Sequence, residues 1–544
     1  MTSKLQTSSF IKGAAILGAA ALLSKLLGVV YRIPYQNITG NEGLYVYNAV
    51  YPLYSTLLIF ATAGIPIAIS KMVSERLTLG DVDGAKRIFR ISSFILTITG
   101  LLFFLALYFG APLIAALWGD SRLVLPIRTV SYALLIVPFM ASLRGYFQGH
   151  QNMIPTAVSQ ISEQIVRVIT ILVLSYWFIN NGFDVYYAGS GAVFGAFTGA
   201  LMALFVLLFF WRRNQVVQKD ISAREASSLP KESALQLMGK ILYIALPICL
   251  GAVVLPLMQL ADSATILNIL QSMGETKDQA TELKGIYDRG QPLVQFVAFF
   301  ATSLSLALVP SISEAKALNQ GEIIAARTEL AMRLTLLLGL PASIGLAVIA
   351  EPVNITLYQD NDGTLAMAVL AFTSVFSTLG ITSAGILQGL GHVVLPARNL
   401  IIGVMFKIAL NFALIPFLGI VGAALATVLA YMIATILNMI GLNKSTGVAF
   451  SYASFLMKPL TAVAIMAGIV FLVMEGSAFS LQYVMSPGRA FEAIVTFFSI
   501  SVGAFVYGIS LFISGALTRR DLEVVPKMKR YIPFLERFRL LKDS

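Results

Sequence analysis

The chain is a succession of hydrophobic runs, each about twenty residues or longer, that follow one another along its whole length. Each run is long enough to cross a hydrocarbon core about 30 Å thick as an α-helix. Apolar residues make up 57% of the chain and charged residues 12%, whereas a soluble domain averages about 25% charged residues. The sequence therefore predicts an all-α polytopic membrane protein.

The run boundaries predict fourteen transmembrane spans. The spans are 9–31, 44–70, 91–117, 124–147, 154–180, 185–211, 238–262, 286–311, 327–349, 364–389, 393–415, 418–441, 455–474 and 490–516. The first run contains Lys25 and is too long for the core of a removable signal peptide, so we expect it to be retained as a span.

The positions of the 38 lysines and arginines orient the spans. If the N-terminus is cytoplasmic, the large majority of these residues, Arg144 among them, fall in cytoplasmic segments, as the positive-inside rule requires. We therefore expect both termini in the cytoplasm. The net charge of +11 is mostly this topology signal, which argues against a nucleic-acid partner.

One motif occurs twice, 240 residues apart. RGYFQGHQNMIP begins at Arg144 and AGILQGLGHVVLP at Ala384, so Gly-x-x-Gln-Gly is followed each time by a His and a Pro. Phe-Ala-Thr recurs at the same offset, from Phe60 and from Phe300. We expect the motif glycines to form a tight cytoplasmic turn, the Pro to begin the next helix, and the histidines to be turn residues rather than a proton relay.

The duplicated unit is six spans long, so both copies enter the membrane in the same orientation, as in parallel-repeat transporters that rock between two open states. The predicted organisation is an N-lobe of six spans at 1–211, a cytoplasmic linker at 212–237, a C-lobe of six spans at 238–441, two added spans within 442–517, and a basic cytoplasmic tail at 518–544.

Catalysis is not indicated. The single cysteine, Cys249, lies within a span, and two histidines provide no metal-binding cluster. The sequence contains no paired-carboxylate pattern and no phosphate-binding loop. We expect a transporter that needs no metal and no cofactor, driven by the membrane potential or by a coupling cation.

Charged residues at membrane depth are costly and usually face an interior cavity. Lys25 lies deep in the first span, and Arg32 follows two turns later on the same face. Together, Lys25 and Arg32 predict a cationic stripe along this helix face. The alternative for either cation is that its side chain snorkels to the membrane surface.

Span 5 contains Glu163 and Arg167 at i, i+4, a spacing that allows a pair on one helix face. The pair is either structural or part of a substrate site. In the second copy Lys407 repeats the cation of Arg167, while Gly403 replaces Glu163. The deep charges are mainly cationic, so the interior favours an anionic substrate.

Two segments resemble the lipid II flippase (MurJ-like) family of the multidrug/oligosaccharidyl-lipid/polysaccharide exporter superfamily. SKLLGVVYR, from Ser24 to Arg32, resembles the family's first-helix motif, and the stretch from Tyr287 to Glu314 resembles its eighth-helix segment. Departures from the pattern are Lys25 in place of an Arg and a second cation shifted by one residue. In these features the chain is similar to the Gram-positive polysaccharide-exporter and spore-protein branch.

The resemblance implies a bacterial plasma-membrane flippase. Its cargo would be a lipid-linked peptidoglycan precursor, lipid II, carried on undecaprenyl pyrophosphate. By this likeness Lys25, Arg32 and Arg289 would bind the pyrophosphate, and spans 13 and 14 would form a groove for the lipid tail.

Three rival functions remain open. Another flippase of the superfamily would carry a different polyprenyl-linked polysaccharide precursor. A cation-coupled drug exporter of the same fold would need a deep carboxylate, for which Glu163 is the only candidate. A polytopic glycosyltransferase or polymerase would need acidic or His catalytic residues on a large external loop. The predicted loop at 263–285 is modest, and its acidic residues form no recognisable pattern.

Overall fold

The structure is a computed structural model that describes residues 2–62, 64–218, 233–448 and 453–517. Within these ranges the chain forms eighteen α-helices and no β-strand. The helices are α1 (Thr2–Val30), α2 (Arg32–Thr62), α3 (Ile65–Thr78), α4 (Val82–Leu117), α5 (Val124–Ser131), α6 (Val137–Gly149), α7 (Ile154–Asn180), α8 (Val185–Gln218), α9 (Ala234–Ser272), α10 (Lys277–Asp288), α11 (Gln291–Ala317), α12 (Gly321–Val348), α13 (Ala350–Tyr358), α14 (Thr364–Ala371), α15 (Thr373–Gly389), α16 (Val394–Thr446), α17 (Lys458–Leu481) and α18 (Arg489–Ile513).

Ten segments of the described residues are long and apolar enough to cross a membrane. The prediction of an all-helical polytopic membrane protein is therefore confirmed, while the figure of fourteen spans stays a prediction. Two predicted spans, 393–415 and 418–441, coincide with the two helical segments of α16, which meet at a kink at Gly419. The φ of Gly419 is 55°, in the left-handed region that favours glycine and interrupts the helix.

Two stretches differ from the predicted spans. Predicted span 4 is not one helix, because a 3₁₀ turn at Tyr132–Leu135 separates α5 from α6. The predicted loop at 263–285 is mostly helical, with α9 continuing to Ser272 and α10 beginning at Lys277. Asp262, the predicted end of span 7, is 2% exposed within α9. The position of 263–285 outside the membrane stays a prediction.

The chain divides into two compact units, Met1–Gly285 (unit 1) and Ile286–Ser544 (unit 2). In unit 1, α7 packs along α8, α1 and α2 pack against α7, and α3 packs against α6. In unit 2, α15 packs against α11, α12 and α16, and α17 packs against α18. The predicted lobe limits stay a prediction, and the predicted tail lies outside the described residues, as does 219–232 of the predicted linker.

The repeated glycines are helix-packing residues. A Cβ at Gly149 in α6 would lie 2.7 Å from the Cβ of Val73 in α3, and a Cβ at Gly389 in α15 would lie 2.9 Å from the carbonyl oxygen of Val309 in α11. The expected role in a tight turn was therefore wrong. The positive φ of the first turn belongs to Gln151. In the second copy it belongs to Gly391, outside the shared Gly-x-x-Gln-Gly.

Proline and histidine behave as the motif predicted in the first copy. Pro155 lies in the first turn of α7, where its missing N–H removes no helical hydrogen bond. The Nδ1 of His150 lies 2.9 Å from the Tyr146 carbonyl oxygen, at the end of its own helix. Burial lowers the pKa of His150 below its usual value.

Candidate functional site

The pair predicted on α7 belongs to a three-residue ion cluster. The Glu163 carboxylate accepts hydrogen bonds from Arg167 at 2.5 Å and from Arg144 of α6 at 2.8 Å. The Nε of Arg144 also donates to the Ser159 hydroxyl at 3.0 Å. The three charged side chains are 11–14% exposed. The cluster is thus largely withdrawn from solvent and carries one net positive charge.

Glycines of α8 allow that helix to approach the ion cluster closely. A Cβ at Gly195 would lie 2.9 Å from the Arg167 carbonyl oxygen, and a Cβ at Gly199 would lie 2.7 Å from that of Glu163. Together with Gly191 they recur every four residues, a spacing that lets two membrane helices pack tightly. Sequence reasoning did not use this signal, which could have paired α7 with α8.

Helix α1 places Lys25 beside the same part of α7. The Ser24 hydroxyl donates to the Gln160 carbonyl oxygen at 3.4 Å. A Cβ at Gly28 would lie 3.5 Å from the Gln164 Nε2. Lys25 directly follows Ser24, and its side chain is exposed. A lysine on the exposed surface of a membrane-spanning helix has to meet water, a lipid head group or an anionic ligand.

Arg32 begins α2 and lies among tyrosine side chains. It is 6% exposed and interacts electrostatically with Tyr31, Tyr47 and Tyr51. The Tyr31 hydroxyl donates to the Tyr47 hydroxyl at 2.5 Å. The ring of Tyr47 stacks on Tyr51 with centroids 5.3 Å apart and planes at 15°, and Tyr51 contacts Tyr54 at 6.0 Å. We call Tyr31, Tyr47, Tyr51 and Tyr54 the tyrosine row.

The tyrosine row ends beside the ion cluster, because Tyr51 and Tyr54 both interact electrostatically with Arg167. Three buried polar atoms along the row have no hydrogen-bond partner within the described chain: the Nε of Arg32, the hydroxyl of Tyr54 and the Nε of Arg167. Sequence reasoning considered charges and missed the tyrosines. Their spacing of four and three residues from Tyr47 to Tyr54 places them on one helix face and could have revealed them.

In unit 2, Arg289 is fully buried and paired with Asp360. Its two terminal nitrogens donate to the two carboxylate oxygens at 2.5 and 2.8 Å, and its guanidinium lies 5.3 Å from the Tyr358 ring centre. Burial would raise the pKa of Asp360, but the hydrogen bonds from Arg289 outweigh it and hold that pKa below its usual range. The proposed contact of Arg289 with pyrophosphate stays a prediction. Sequence reasoning missed Asp360.

Asp120 of unit 1 stands 240 residues before Asp360 and occupies the same kind of turn. Each aspartate follows a residue with positive φ, Gly119 at 77° and Gln359 at 71°. Each also accepts a hydrogen bond from the backbone N–H two residues later, at 3.0 and 2.9 Å. The duplication therefore extends to this turn, which the sequence comparison did not detect.

The buried Asp120 carboxylate accepts hydrogen bonds from several side chains. It accepts from Lys277 at 2.6 Å, from the Tyr186 hydroxyl at 2.6 Å and from the Arg122 Nε at 3.3 Å. Burial alone would raise the pKa of Asp120, but these donors outweigh it and the pKa lies below its usual range. The contacts fix the start of α10 to the turn between α4 and α5.

Lys407 lies in α16 and is 1% exposed, with Gly403 buried one helical turn before it. The predicted site residues are therefore divided between the two units. Unit 1 contains Lys25, Arg32, Glu163 and Arg167, and unit 2 contains Arg289 and Lys407.

The fold and its buried cations define a class, the polytopic α-helical membrane proteins with a charged interior. Within that class, the sequence profile of the polysaccharide biosynthesis protein family matches residues 10–316, more than half of the chain. The chain belongs to this family.

Two relatives from Bacillus subtilis (strain 168) align along almost the full length. An uncharacterized membrane protein, YabM, is 36% identical and covers 97% of this chain and 96% of its own. The lipid II flippase MurJ is 29% identical and covers 92% and 94%. A solved structure of lipid II flippase MurJ in an inward closed conformation superposes with a TM-score of 0.66 at 14% identity, over 92% of this chain and 98% of that one. The resemblance predicted from the sequence is confirmed.

Proposed function

We propose that the protein is a flippase that moves a polyprenyl-pyrophosphate-linked sugar precursor from the cytoplasmic to the outer leaflet of the bacterial plasma membrane. The observation that carries the proposal is the excess of positive charge in unit 1. Lys25, Arg32 and the Arg144–Glu163–Arg167 cluster place four cations and one carboxylate among α1, α2, α6 and α7. An excess of positive charge is costly where bulk water does not reach it, and the pyrophosphate of the cargo would compensate it.

The cargo that we favour is lipid II, for peptidoglycan synthesis. A relative named as a lipid II flippase supports this choice, since it aligns over 92% of the chain. The cations would hold the pyrophosphate while the sugars cross in water and the lipid tail stays in the bilayer. Two six-helix lobes, fourteen crossings and cytoplasmic termini belong to the same proposal, with alternating access as the transport cycle. We retain Arg289 and Lys407 as candidate cations of the second lobe.

The ion cluster argues against a cation-coupled drug exporter. Such an exporter needs a deep carboxylate that is able to bind a proton or a cationic drug. Glu163, the sole candidate from the sequence, accepts hydrogen bonds from two arginines, Arg144 and Arg167. A carboxylate held by two guanidinium groups stays ionised and is not available for such a role.

The test is lipid II translocation in cells depleted of every other lipid II flippase. The wild-type protein should restore growth and make lipid II accessible to an impermeant label at the outer face. Lys25→Arg should retain this activity, Lys25→Gln should lose most of it, and Lys25→Glu should abolish it by opposing the pyrophosphate charge. Membrane abundance is measured by immunoblot for each variant.

Arg213→Gln is the matched control, because Arg213 is an exposed cation at the end of α8. This variant should behave as the wild type. An active Lys25→Glu protein would remove Lys25 from the proposed site. A wild-type protein that restores neither growth nor labelling would contradict lipid II as the cargo and leave another polyprenyl-linked glycan to be tested in the same format.

A further inference from the structure

One tyrosine of unit 1 differs from its neighbours. The hydroxyls of Tyr31 and Tyr47 are bonded to each other, the Tyr35 hydroxyl donates to the Gly43 carbonyl oxygen at 2.9 Å, and the Tyr54 hydroxyl is buried. Tyr51 is half-buried, and its hydroxyl is neither buried nor hydrogen-bonded within the described residues. Tyr51 is therefore the member of the tyrosine row whose hydroxyl is accessible.

The position of Tyr51 relates it to both groups of cations. It interacts electrostatically with both Arg32 and Arg167. Tyr47 lies nearly parallel to one face of its ring, which fixes the ring plane. The Nε atoms of Arg32 and Arg167, each without a hydrogen-bond partner in the described chain, leave donors for an anionic or hydroxyl-rich ligand.

We propose that Tyr51 forms a saccharide subsite next to the pyrophosphate-binding cations, a role that rests on the function proposed above. The face of an aromatic ring is electronegative, and the C–H bonds on one face of a pyranose ring carry partial positive charge, so the two surfaces attract one another. A half-buried, oriented ring that interacts with two arginines matches a ligand in which a sugar directly follows a pyrophosphate. Tyr51 is then a specificity-determining residue: the cations bind the pyrophosphate, and the ring recognises the first sugar.

The experiment compares two ligands on the purified full-length protein in detergent. The probes are undecaprenyl pyrophosphate and undecaprenyl pyrophosphate carrying one N-acetylhexosamine, and affinity is measured by titration. Tyr51→Leu should weaken binding of the sugar-bearing lipid by about three- to tenfold, the range for one aromatic stacking contact. Its affinity for the sugar-free lipid should stay within about twofold of wild type. Tyr51→Phe keeps the ring and should retain the preference for the sugar-bearing lipid.

Tyr176→Leu is the matched control, since Tyr176 on α7 is 60% exposed and outside the tyrosine row. It should leave both affinities unchanged. If Tyr51→Leu weakens both ligands equally or neither, Tyr51 does not recognise sugar and the inference is overturned, while the proposed function stands. If the wild-type protein binds neither lipid, the proposed function fails and the subsite fails with it.

Discussion

Helices α6 and α7 of unit 1 and helices α15 and α16 of unit 2 carry the same motif but have different side chains in the interior. The ion cluster of the first copy occupies Arg144, Glu163 and Arg167, and the corresponding positions of the second copy hold Ala384, Gly403 and Lys407. At the offset of 240 residues, Ser159, which contacts Arg144, is matched by Asn399, which donates to Asn438 at 2.9 Å. The second contact is between neutral amides, whereas the first involves a charged group.

The packing glycines behave differently from the charges, because both copies retain them in close helix contacts. The aspartate turn is also present in both, at Asp120 and Asp360. Backbone geometry is thus common to the two copies, whereas the buried charge has diverged. A helix contact allows few substitutions, but a charge at membrane depth persists only where something compensates it. The comparison therefore separates helix-packing and turn positions that the two copies share from buried charged positions that differ between them.

The largest expected effect tests the ion cluster itself. Glu163→Ala leaves two mostly buried guanidinium groups without their carboxylate and should lower the free energy of unfolding by about 3–5 kcal/mol. Arg167→Ala should cost less, about 1.5–3 kcal/mol, since Glu163 keeps Arg144 as its partner. Denaturant titration of the purified proteins measures both. The opposite order would mean that Arg144 does not share the charge of Glu163.

The next test compares the two aspartate turns. The loss of stability on removing each aspartate should depend on how deeply its cationic partners are buried. Asp360→Asn leaves Arg289 fully buried and should cost about 3–5 kcal/mol. Asp120→Asn should cost about 1.5–3 kcal/mol, because Lys277 and Arg122 are 34% and 31% exposed and can be hydrated. The difference is expected although Asp120 is itself the more buried carboxylate. A larger loss of stability for Asp120→Asn in thermal or denaturant unfolding would show that the aspartate's own burial decides the cost.

A smaller effect is expected at the shared glycines. Gly149→Ala and Gly389→Ala each force a helix contact apart and should destabilise the protein by about 1–3 kcal/mol, to a similar extent. Gly18→Ala, with no atom within 4 Å of the added methyl group, should be neutral or slightly stabilising. If only one of these two variants clearly loses stability, the packing role of the glycine is not shared by the two copies.

The smallest effect is the pH dependence of the aspartate turns. The pKa values of Asp120 and Asp360 are lower in the folded protein than the usual value of about 3.9. Their contribution to stability is therefore complete above about pH 4 and is lost as the pH falls through the folded-state values. Unfolding curves recorded between pH 3 and pH 7 should show a shallower acid limb for Asp360→Asn than for the wild type. An unchanged limb would mean that other carboxyl groups dominate acid unfolding.

Of the charged contacts, the sequence predicted the local pair and missed those between distant residues. Glu163 and Arg167 could be paired from their spacing, because one helical turn brings i and i+4 together. Arg144 is 19 residues from Glu163, and Asp360 is 71 residues from Arg289. Neither contact follows from local periodicity, so both carboxylate–arginine contacts were missed. The tyrosine row does have a local signal, the spacing of four and three residues from Tyr47 to Tyr54, which the charged residues alone do not reveal.

The sequence by itself determined that this protein is an all-helical, polytopic membrane protein, because hydrophobic length is a property of the chain order alone. The motif repeated at an offset of 240 residues also predicted a duplicated unit. It also located the costly cations and the family resemblance. Only the tertiary structure decided which cations are neutralised: Arg167 and Arg144 share Glu163, and Arg289 binds Asp360. The physical reason is that a buried charge is stabilised by groups within a few ångströms, and folding brings those groups together from distant parts of the chain.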